Sequence, residues 1–241
     1  MRIAMWSGPR NLSTALMRAW GSRADTAVVD EPLYAFYLDR TGLDHPGRAD
    51  VLAAQPTDWQ AVAATLTGPV PGGCPVWYQK HMAHHLLPEV GRDWLSLLTH
   101  AFLLREPRAM LASLARVLDH VTVESTGLPQ QAELFRRTAD RQGHAPPVID
   151  AADVLADPEG TLRALCDALG VSFDLAMLQW APGPRPEDGV WAPHWYASVW
   201  RSTGFEAPKR EEPADIPGHL AGVLEACEAL YAELHSHRLT A

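Results

Sequence analysis

The sequence predicts an α/β fold in which helices cover both faces of a parallel sheet, so that the molecule has three layers. Short apolar runs with the composition of strands alternate along the chain with helical patterns. One of these runs, at residues 100–104, is apolar almost throughout, as expected of a central strand covered on both faces. The 241 residues are 47% hydrophobic and 20% charged, which is enough apolar material to bury a substantial core.

The individual elements follow from local composition and periodicity. Strands are predicted at residues 2–6, 26–29, 75–79, 100–104 and 147–149. Helices are predicted at residues 15–20, 58–66, 107–118, 129–143, 157–169 and 216–237, where apolar residues recur at helical spacing or Pro and Gly mark the ends. Residues 41–58 are predicted to be a mobile surface segment and residues 181–213 a long loop rich in Pro and aromatic residues. We expect one domain over residues 1–241.

The first strand leads directly into a turn, Ser7-Gly8-Pro9-Arg10-Asn11-Leu12-Ser13-Thr14, and then into a helix. Amides at a helix N-terminus can bind an anion, and Gly8 lets the backbone approach a ligand closely. Ser13 and Thr14 add hydroxyl groups, while Arg10 adds a planar cation that matches phosphate or sulfate oxygens. The Gly-Lys pair of the Walker A motif is absent from this turn. A capped helix start without a ligand is the alternative interpretation.

Polar side chains follow each of the next three predicted strands. Glu31 comes after the second strand, Lys80 and His81 after the third, and Arg105 after the fourth, with Ser113 eight residues later. Ligands of parallel sheets bind at the carboxyl ends of the strands. These residues therefore predict a site for an anionic ligand, with Glu31 and His81 as two candidate proton acceptors. Glu31 could instead pair with Arg10 or cap a helix that begins at residue 32.

Charge and composition exclude several classes of function. The net charge of −9 argues against a broad nucleic-acid surface, and no apolar stretch is long enough for a membrane span or a signal peptide. The three cysteines lack CxxC spacing, which favours a reducing compartment, so we expect a cytoplasmic protein with a small-molecule partner. His81, His84 and His85 could share a helix face and bind zinc, but no fourth ligand lies nearby, and we expect no metal.

Four segments, in order along the chain, resemble the sulfotransferase family, whose members have a P-loop-type fold and use 3′-phosphoadenosine-5′-phosphosulfate (PAPS). They are the turn at residues 7–14, Lys80-His81-Met82 with Leu86-Leu87-Pro88, the run at residues 102–108 with Ser113, and the stretch from Asp153 through Gly170. The resemblance implies a P-loop NTPase-like sulfotransferase fold. It also implies transfer of a sulfuryl group from PAPS to a small acceptor that bears a hydroxyl or amine group.

The resemblance assigns roles by position. It implies that the turn, through Gly8, Arg10, Asn11, Leu12, Ser13 and Thr14, holds the 5′-phosphosulfate, and that Arg105 and Ser113 hold the 3′-phosphate. His81 aligns with the catalytic base of the family, Glu31 is the second candidate for that role, and Lys80 would offset charge on the bridging oxygen. Arg201 and Gly204 resemble residues of the late loop that closes over the nucleotide.

Three departures from the family pattern leave alternatives open. Asn11-Leu12 replaces a small Ser-Gly pair, Lys80 stands one residue late relative to His81, and Ala151-Ala152 stands where many relatives carry Tyr-Glu. One alternative is a nucleotide-dependent phosphoryl transferase, such as a kinase, on the same architecture. The other is a non-catalytic nucleotide-binding protein. The sequence does not specify the acceptor or the oligomeric state, for which a homodimer is one option.

Overall fold

The computed structural model describes residues 1–118, 120–206 and 215–240. Five strands form a parallel sheet flanked by helices, in the order β2-β3-β1-β4-β5. The strands are β1 (Arg2–Ser7), β2 (Thr26–Asp30), β3 (Val76–Met82), β4 (Thr99–Leu104) and β5 (Val148–Asp150). The predicted α/β class is therefore confirmed, and each of the five predicted strands has a counterpart.

Eleven helices connect and flank these strands in the described part of the chain. They are α1 (Ser13–Gly21), α2 (Tyr34–Thr41), α3 (Arg48–Ala54), α4 (Trp59–Thr67), α5 (Pro107–Leu114), α6 (Leu128–Gln142), α7 (Ala151–Ala156), α8 (Pro158–Leu169), α9 (Ala192–Trp195), α10 (Ala197–Arg201) and α11 (Ala221–His235). In two of them, the residue predicted to begin or end the helix does so. Asp58 caps α4 by accepting from the amide of Gln60, and Gly170 ends α8 in the left-handed conformation.

The described chain divides into two compact units. The first comprises Met1–Met5, Ser13–Thr99 and Asp174–Phe205. Within it, β2 and β3 pair in parallel with Asp30 opposite Lys80, and α1 packs against both strands. Trp20 of α1 stacks on Tyr78 of β3 at a centroid distance of 5.4 Å. The core of this unit thus lies between α1 and the pair of strands that carries Asp30 and Lys80.

The second unit comprises Trp6–Leu12, the described residues of His100–Phe173, and those that follow Phe205. Its strands β4 and β5 pair in parallel, and α11 packs against α5, α6 and β5. Phe102 of β4 meets Phe135 of α6 edge to face at 5.8 Å. Both Phe102 and Ile149 are fully buried, as expected of strands with apolar runs.

The prediction for the third strand was too short. β3 continues through Gln79, Lys80 and His81 to Met82, and all of its residues are buried. A run of polar side chains does not predict a buried strand, because burial of a polar group costs free energy unless the group forms a hydrogen bond. Here they do: the Gln79 amide donates to the Leu66 carbonyl at 2.9 Å, and Lys80 donates to carboxylates.

Other boundaries also differ from the predictions. The segment predicted as mobile, 41–58, contains α3, whose single buried residue, Val51, leaves almost no periodicity in the sequence. Helix α2 begins at Tyr34 and not at residue 32, and α5 ends at Leu114 and not at Leu118. The long loop contains α9 and α10, while its residues 207–213 lie outside the described residues. The last helix begins at Ala221, five residues later than predicted, and α7 was not predicted.

Candidate functional site

The second unit brings three of the predicted site residues into contact. Arg10 donates from Nε to the hydroxyl of Ser113 at 2.9 Å, and Arg105 donates from Nη1 to the carbonyl oxygen of Arg10. Ser113 lies on α5, Arg105 directly follows β4, and Arg10 follows β1. Two guanidinium groups and one hydroxyl group thus cluster at the carboxyl ends of two strands, where ligands of parallel sheets bind.

The turn that carries Arg10 is fixed by its own side chains. Asn11 donates from Nδ2 to the Leu103 carbonyl at 3.0 Å, and its Oδ1 accepts from the Leu12 amide at 2.7 Å. The departure from the small Ser-Gly pair is therefore accounted for structurally, because Asn11 ties the turn to the end of β4. The Leu12 amide, which the resemblance assigns to the phosphosulfate, is already paired with Asn11.

Gly8 is required by a close approach of the backbone. A Cβ atom at this position would lie 2.4 Å from the carbonyl oxygen of Thr126, which is far inside van der Waals contact. Thr126 ends a short 3₁₀ turn, Glu124–Thr126, in the same unit. The glycine thus has a packing role, and this role is compatible with the one implied by the resemblance.

The N-terminus of α5 is already neutralised by the chain. Glu106 caps it, accepting from the amides of Arg108 at 2.9 Å and Ala109 at 2.7 Å. An anion near this helix would therefore be held by the side chains of Arg10, Arg105 and Ser113 and not by the first amides of α5. Ser13 and Thr14, which belong to the first unit, are the first two residues of α1 and are both buried.

A second cluster of predicted residues lies in the first unit and centres on Lys80. Its ammonium group donates to Asp30 Oδ1 at 2.8 Å, Glu31 Oε1 at 2.7 Å and Tyr196 Oη at 2.7 Å. A lysine has three N–H donors, so each of them is used here. Burial alone would lower the pKa of Lys80, but the charges of Asp30 and Glu31 raise it well above its usual range. Lys80 is therefore a buried cation held by two carboxylates.

The two carboxylates of this cluster differ in the number of hydrogen bonds that their oxygens accept. Asp30 accepts from Lys80, from Tyr196 Oη at 2.6 Å and from the Gly189 amide at 3.4 Å, and its side chain is 1% exposed. Glu31 accepts from Lys80 through Oε1 and is 13% exposed, and its Oε2 has no hydrogen-bond partner among the described residues. Burial raises the pKa of Glu31, against the opposing charge of Lys80. Glu31 thus keeps one carboxylate oxygen without a described partner, whereas both oxygens of Asp30 accept hydrogen bonds.

Backbone strain occurs at one residue of each of these two clusters. Among the described residues, Arg10 (φ 56°) and Glu31 (φ 40°) are the non-glycine residues with positive φ. Such conformations cost on the order of 1–3 kcal/mol and cluster at functional sites. Both residues were singled out from the sequence as candidate site residues.

The structure separates His81 from Lys80 and Glu31. Side chains of consecutive strand residues point to opposite faces, so His81 faces away from the Lys80 cluster. Its Nε2 lies 3.3 Å from Gln79 Oε1, its ring is 6.4 Å from that of Trp94, and its side chain is almost fully buried. Of the two candidate bases, Glu31 is therefore the one that the structure brings to Lys80.

The neighbouring histidines pack among aromatic rings. His85 stacks on Tyr34 at 4.8 Å and on Tyr37 at 4.7 Å, and His84 meets His85 at 4.4 Å. Burial lowers the pKa of His84 to about 3 and that of His85 well below its usual range, so both rings are neutral at pH 7. Within the described residues, no group of three His, Cys, Asp or Glu side chains is arranged to hold a metal ion.

Arg201 and Gly204 lie in the first unit, in the described part of the long loop segment. Arg201 is the exposed last residue of α10. Gly204 pairs with Gln179 in an antiparallel bridge, where a Cβ atom would lie 2.9 Å from the Leu178 carbonyl oxygen. This close approach accounts for the glycine without a ligand.

Sequence reasoning missed Asp30 and Tyr196. Asp30 directly precedes Glu31 at the end of β2, so the rule of inspecting strand ends could have found it. Tyr196 is 116 positions from Lys80 and lies in a segment without periodicity, so no local signal connects the two residues.

A model of the sulfotransferase domain family matches residues 1–236. Two solved structures resemble this fold over 99% of the chain. A sulfotransferase domain from the curacin biosynthetic pathway superposes with a TM-score of 0.55 and 16% identity, covering 98% of that chain. A sulfotransferase from Alicyclobacillus acidocaldarius gives a TM-score of 0.56 and 15% identity, covering 96%. At these identities the likeness concerns the fold alone.

Two curated relatives come from Arabidopsis thaliana. The chain is 40% identical to branched-chain-amino-acid aminotransferase-like protein 1 and 36% identical to branched-chain-amino-acid aminotransferase-like protein 2, over 98% of its length in both cases. It covers 42% and 41% of those proteins, so it spans about two fifths of their length. Among the residues that the structure describes, no helix is long and apolar enough to cross a membrane.

Proposed function

The chain belongs to the sulfotransferase domain family, and from that premise we propose that it transfers a sulfuryl group from PAPS to a small acceptor bearing a hydroxyl or amine group. The observation that carries the donor assignment is the contact of Arg10 with Ser113 and with Arg105. Guanidinium groups bind phosphate and sulfate oxygens through two parallel hydrogen bonds. The chain as a whole carries a net charge of −9, which repels an anionic nucleotide. Binding of such a nucleotide therefore requires a local cluster of positive side chains like this one.

In this proposal Arg105 and Ser113 bind the 3′-phosphate, and Arg10 binds the 5′-phosphosulfate. Sulfuryl transfer, like phosphoryl transfer, depends mainly on positioning the reactants and on stabilising charge. Arg10 would offset the negative charge that develops on the leaving phosphate oxygen. The Asn11 contacts that hold the turn would keep Arg10 in place for this role.

Glu31 is proposed as the general base. As the acceptor oxygen or nitrogen forms its bond to sulfur, its proton moves to Glu31 Oε2, and the bond between sulfur and the 5′-phosphate oxygen breaks with its electron pair on that oxygen. A positioned base of this kind contributes about 10²–10⁴-fold to the rate. The raised pKa of Glu31 makes its carboxylate a stronger base than an exposed glutamate.

Lys80 is proposed to act through Glu31. Its three N–H groups are donated to Asp30, Glu31 and Tyr196, so its ammonium group serves the carboxylates of its own cluster. This replaces the expectation that Lys80 offsets charge on the bridging oxygen. We further propose that the partner is a small molecule in the cytoplasm, with neither a nucleic acid nor a membrane involved, and that the reaction uses Arg10 where phosphoryl transferases use a metal ion.

The test is incubation with PAPS and a panel of phenols, alcohols and amines, followed by mass spectrometry for acceptors that gain one SO₃ group. We expect transfer by the wild-type protein and by Arg108→Ala, an exposed arginine on α5, and strong loss in Arg10→Ala. Consumption of ATP with Mg²⁺ and not of PAPS would favour a kinase. Binding of PAPS without transfer to any acceptor would favour the non-catalytic alternative.

A further inference from the structure

Tyr196 occupies the centre of the Lys80 cluster. Its hydroxyl oxygen accepts from Lys80 Nζ at 2.7 Å and from Trp191 Nε1 at 3.1 Å, and its proton is donated to Asp30 Oδ2 at 2.6 Å. A phenol has one proton and two lone pairs, so the hydrogen-bonding capacity of this hydroxyl is filled. Such a saturated buried group fixes the atoms around it.

The geometry decides which carboxylate receives the proton of Tyr196. Asp30 Oδ2 lies 2.6 Å from the hydroxyl, whereas Glu31 Oε1 lies 3.4 Å away, and only one of them can accept the single proton. Asp30 is thereby supplied with Tyr196, Gly189 and Lys80 as donors. Because Asp30 already accepts hydrogen bonds from Tyr196 and Gly189, it competes less strongly for the ammonium group of Lys80. That ammonium group can then bind Asp30 and Glu31 at the same time.

Resting on the proposed function, we propose that Tyr196 is a positioning residue of the acid–base centre, because its hydroxyl satisfies Asp30 and so keeps Lys80 shared with Glu31. Tyr196 acts through Lys80 and Asp30, and it transfers no proton to the acceptor itself. Without the hydroxyl, Asp30 loses a donor and Lys80 loses an acceptor. The ammonium then moves toward Asp30, and Glu31 loses part of the charge that stabilises its ionised form.

The ring of Tyr196 is held independently of its hydroxyl group. It packs in a buried apolar cluster with Tyr34, Tyr37 and Trp191. The chain on both sides of Tyr196 is anchored through Asp188, which accepts from Arg18 Nη2 at 2.6 Å and from Trp200 Nε1 at 3.0 Å. Replacement by phenylalanine therefore removes the hydrogen bonds and leaves the ring in place.

The charged and titratable groups that face Glu31 are few. Within the described residues they are the preceding Asp30 at the end of β2, Lys80 from β3, Tyr196 from the loop segment and Tyr34 from α2. Burial raises the pKa of Glu31, the charge of Lys80 lowers it and the charge of Asp30 raises it, so a Lys80 drawn toward Asp30 lowers it less. Loss of the Tyr196 hydroxyl should therefore move the titration of Glu31 to higher pH, and the acid limb of kcat/KM should move with it.

The experiment is a ¹³C NMR titration of protein labelled at the carboxyl carbon of glutamate, with Glu31 assigned by its loss in Glu31→Gln. In Tyr196→Phe we expect the Glu31 midpoint to rise by about half a pH unit or more. We also expect kcat to fall about tenfold or more, with KM for PAPS unchanged. Tyr231→Phe is the matched control, because Tyr231 donates to the buried Asp150 at 2.9 Å at the end of β5, and it should leave the Glu31 midpoint unchanged.

The NMR result does not depend on turnover, so it separates this inference from the proposed function. Absence of sulfuryl transfer by the wild-type protein would overturn the function, while the Glu31 midpoint would still decide the role of Tyr196. If Tyr196→Phe fails to fold by circular dichroism, Trp191→Phe removes one donor to the same hydroxyl and should shift the midpoint in the same direction, but less. A Glu31 midpoint equal to that of the wild-type protein in the folded variant would overturn the inference.

Discussion

Arg10 and Ser113 are 103 positions apart in the chain, yet Nε of one donates to the hydroxyl of the other at 2.9 Å. The contact joins the turn after β1 to the helix after β4. Arg10 is fixed at its Nε by this contact, and its carbonyl oxygen accepts from Arg105. Its remaining N–H groups are thereby oriented before any ligand arrives, which lowers the entropic cost of binding.

Replacing Ser113 by alanine should weaken nucleotide binding. The change removes the acceptor of Arg10 Nε, and a hydrogen bond to a charged group contributes about 1.5–3 kcal/mol. We expect the dissociation constant of 3′-phosphoadenosine-5′-phosphate to rise by about tenfold or more. Ser96→Ala is the control, since Ser96 is an exposed residue of a 3₁₀ turn and donates to the Asp93 carbonyl. Equal affinities in the two variants, measured by calorimetry, would contradict the role of Ser113.

Replacing Glu31 by glutamine should abolish most of the activity. The amide keeps the shape of the side chain but accepts no proton, so kcat should fall by about 10²–10⁴-fold with nucleotide affinity retained. Glu89→Gln removes an exposed carboxylate that is paired with Arg40 and should leave kcat unchanged. Steady-state kinetics with the acceptor identified by mass spectrometry provides the measurement.

His81 should matter much less than Glu31. Because His81 points to the other face of β3, His81→Gln should lower kcat by less than about tenfold, the minimum expected for loss of a base being about 10². The same kinetic assay applies, together with a thermal melt to verify folding. A larger loss in His81→Gln than in Glu31→Gln would assign the base to the opposite face of the strand.

His84 should make the protein sensitive to acid. The pKa of His84 is about 3 in the folded protein because of burial, while an unfolded histidine has a pKa near 6.5. Between these values the unfolded state binds the additional proton, so stability falls as the pH falls through this window. The contribution of one such group is about 1.4 kcal/mol per pH unit at most.

The matching experiment measures the free energy of unfolding in urea between pH 7 and about pH 5, where the unfolded histidine begins to titrate. His84→Gln should show a shallower dependence on pH than the wild-type protein. Ser96→Ala, which changes an exposed residue that does not titrate, should keep the wild-type slope. A slope for His84→Gln that equals the wild-type slope would mean that His84 is protonated in the folded protein.

Gly8→Ala should destabilise the protein and impair nucleotide binding. The new Cβ atom would lie 2.4 Å from the Thr126 carbonyl oxygen, so the turn or the Thr126 backbone must shift. Overpacking of this kind costs about 1–3 kcal/mol. Gly222→Ala in α11 is the matched control, because open space surrounds that position and alanine favours a helix by about 1 kcal/mol. Thermal melts should therefore move in opposite directions, and a neutral Gly8→Ala would refute the close approach.

Arg18→Met should be strongly destabilising. Arg18 and Asp188 form an ion pair at 2.6 Å with side chains 2% and 4% exposed, and removal of one partner leaves a buried charge at a cost of about 3–5 kcal/mol. Arg163→Met breaks an exposed i,i+4 pair with Glu159 and should cost less than about 1 kcal/mol. Denaturant unfolding of both variants tests this difference, and similar losses would show that the Arg18 pair is solvated.

The strands, the helix ends and the turn after β1 could be predicted from the sequence because they depend on local signals. Apolar runs marked the strands, and capping residues such as Asp58 and Gly170 marked helix ends. The turn with Gly8 and Arg10 could be recognised from its position between a strand and a helix. Each of these features is encoded within about ten neighbouring residues, where periodicity and turn chemistry act.

Only part of the cluster around Lys80 could be predicted, because its members are far apart in the sequence. Glu31 and Lys80 could be proposed from their places near strand ends, but Tyr196 comes from a segment with no periodic signal. The inner part of β3 was missed for the same reason, since Lys80 is tolerated in a buried strand only when Asp30 and Glu31 face it. Such compensation between residues far apart in the chain cannot be inferred from one of them alone.

Arg10, Arg105 and Ser113 are proposed to form the donor site of a PAPS-dependent sulfotransferase. Calorimetric titration with 3′-phosphoadenosine-5′-phosphate, compared with ATP and Mg²⁺, tests it most directly when it is repeated on Arg105→Ala and on the control Arg108→Ala. We predict micromolar binding of the bisphosphate to the wild-type protein and to Arg108→Ala, with binding lost in Arg105→Ala. Tighter binding of ATP with Mg²⁺, or equal bisphosphate binding by all three proteins, would contradict the claim.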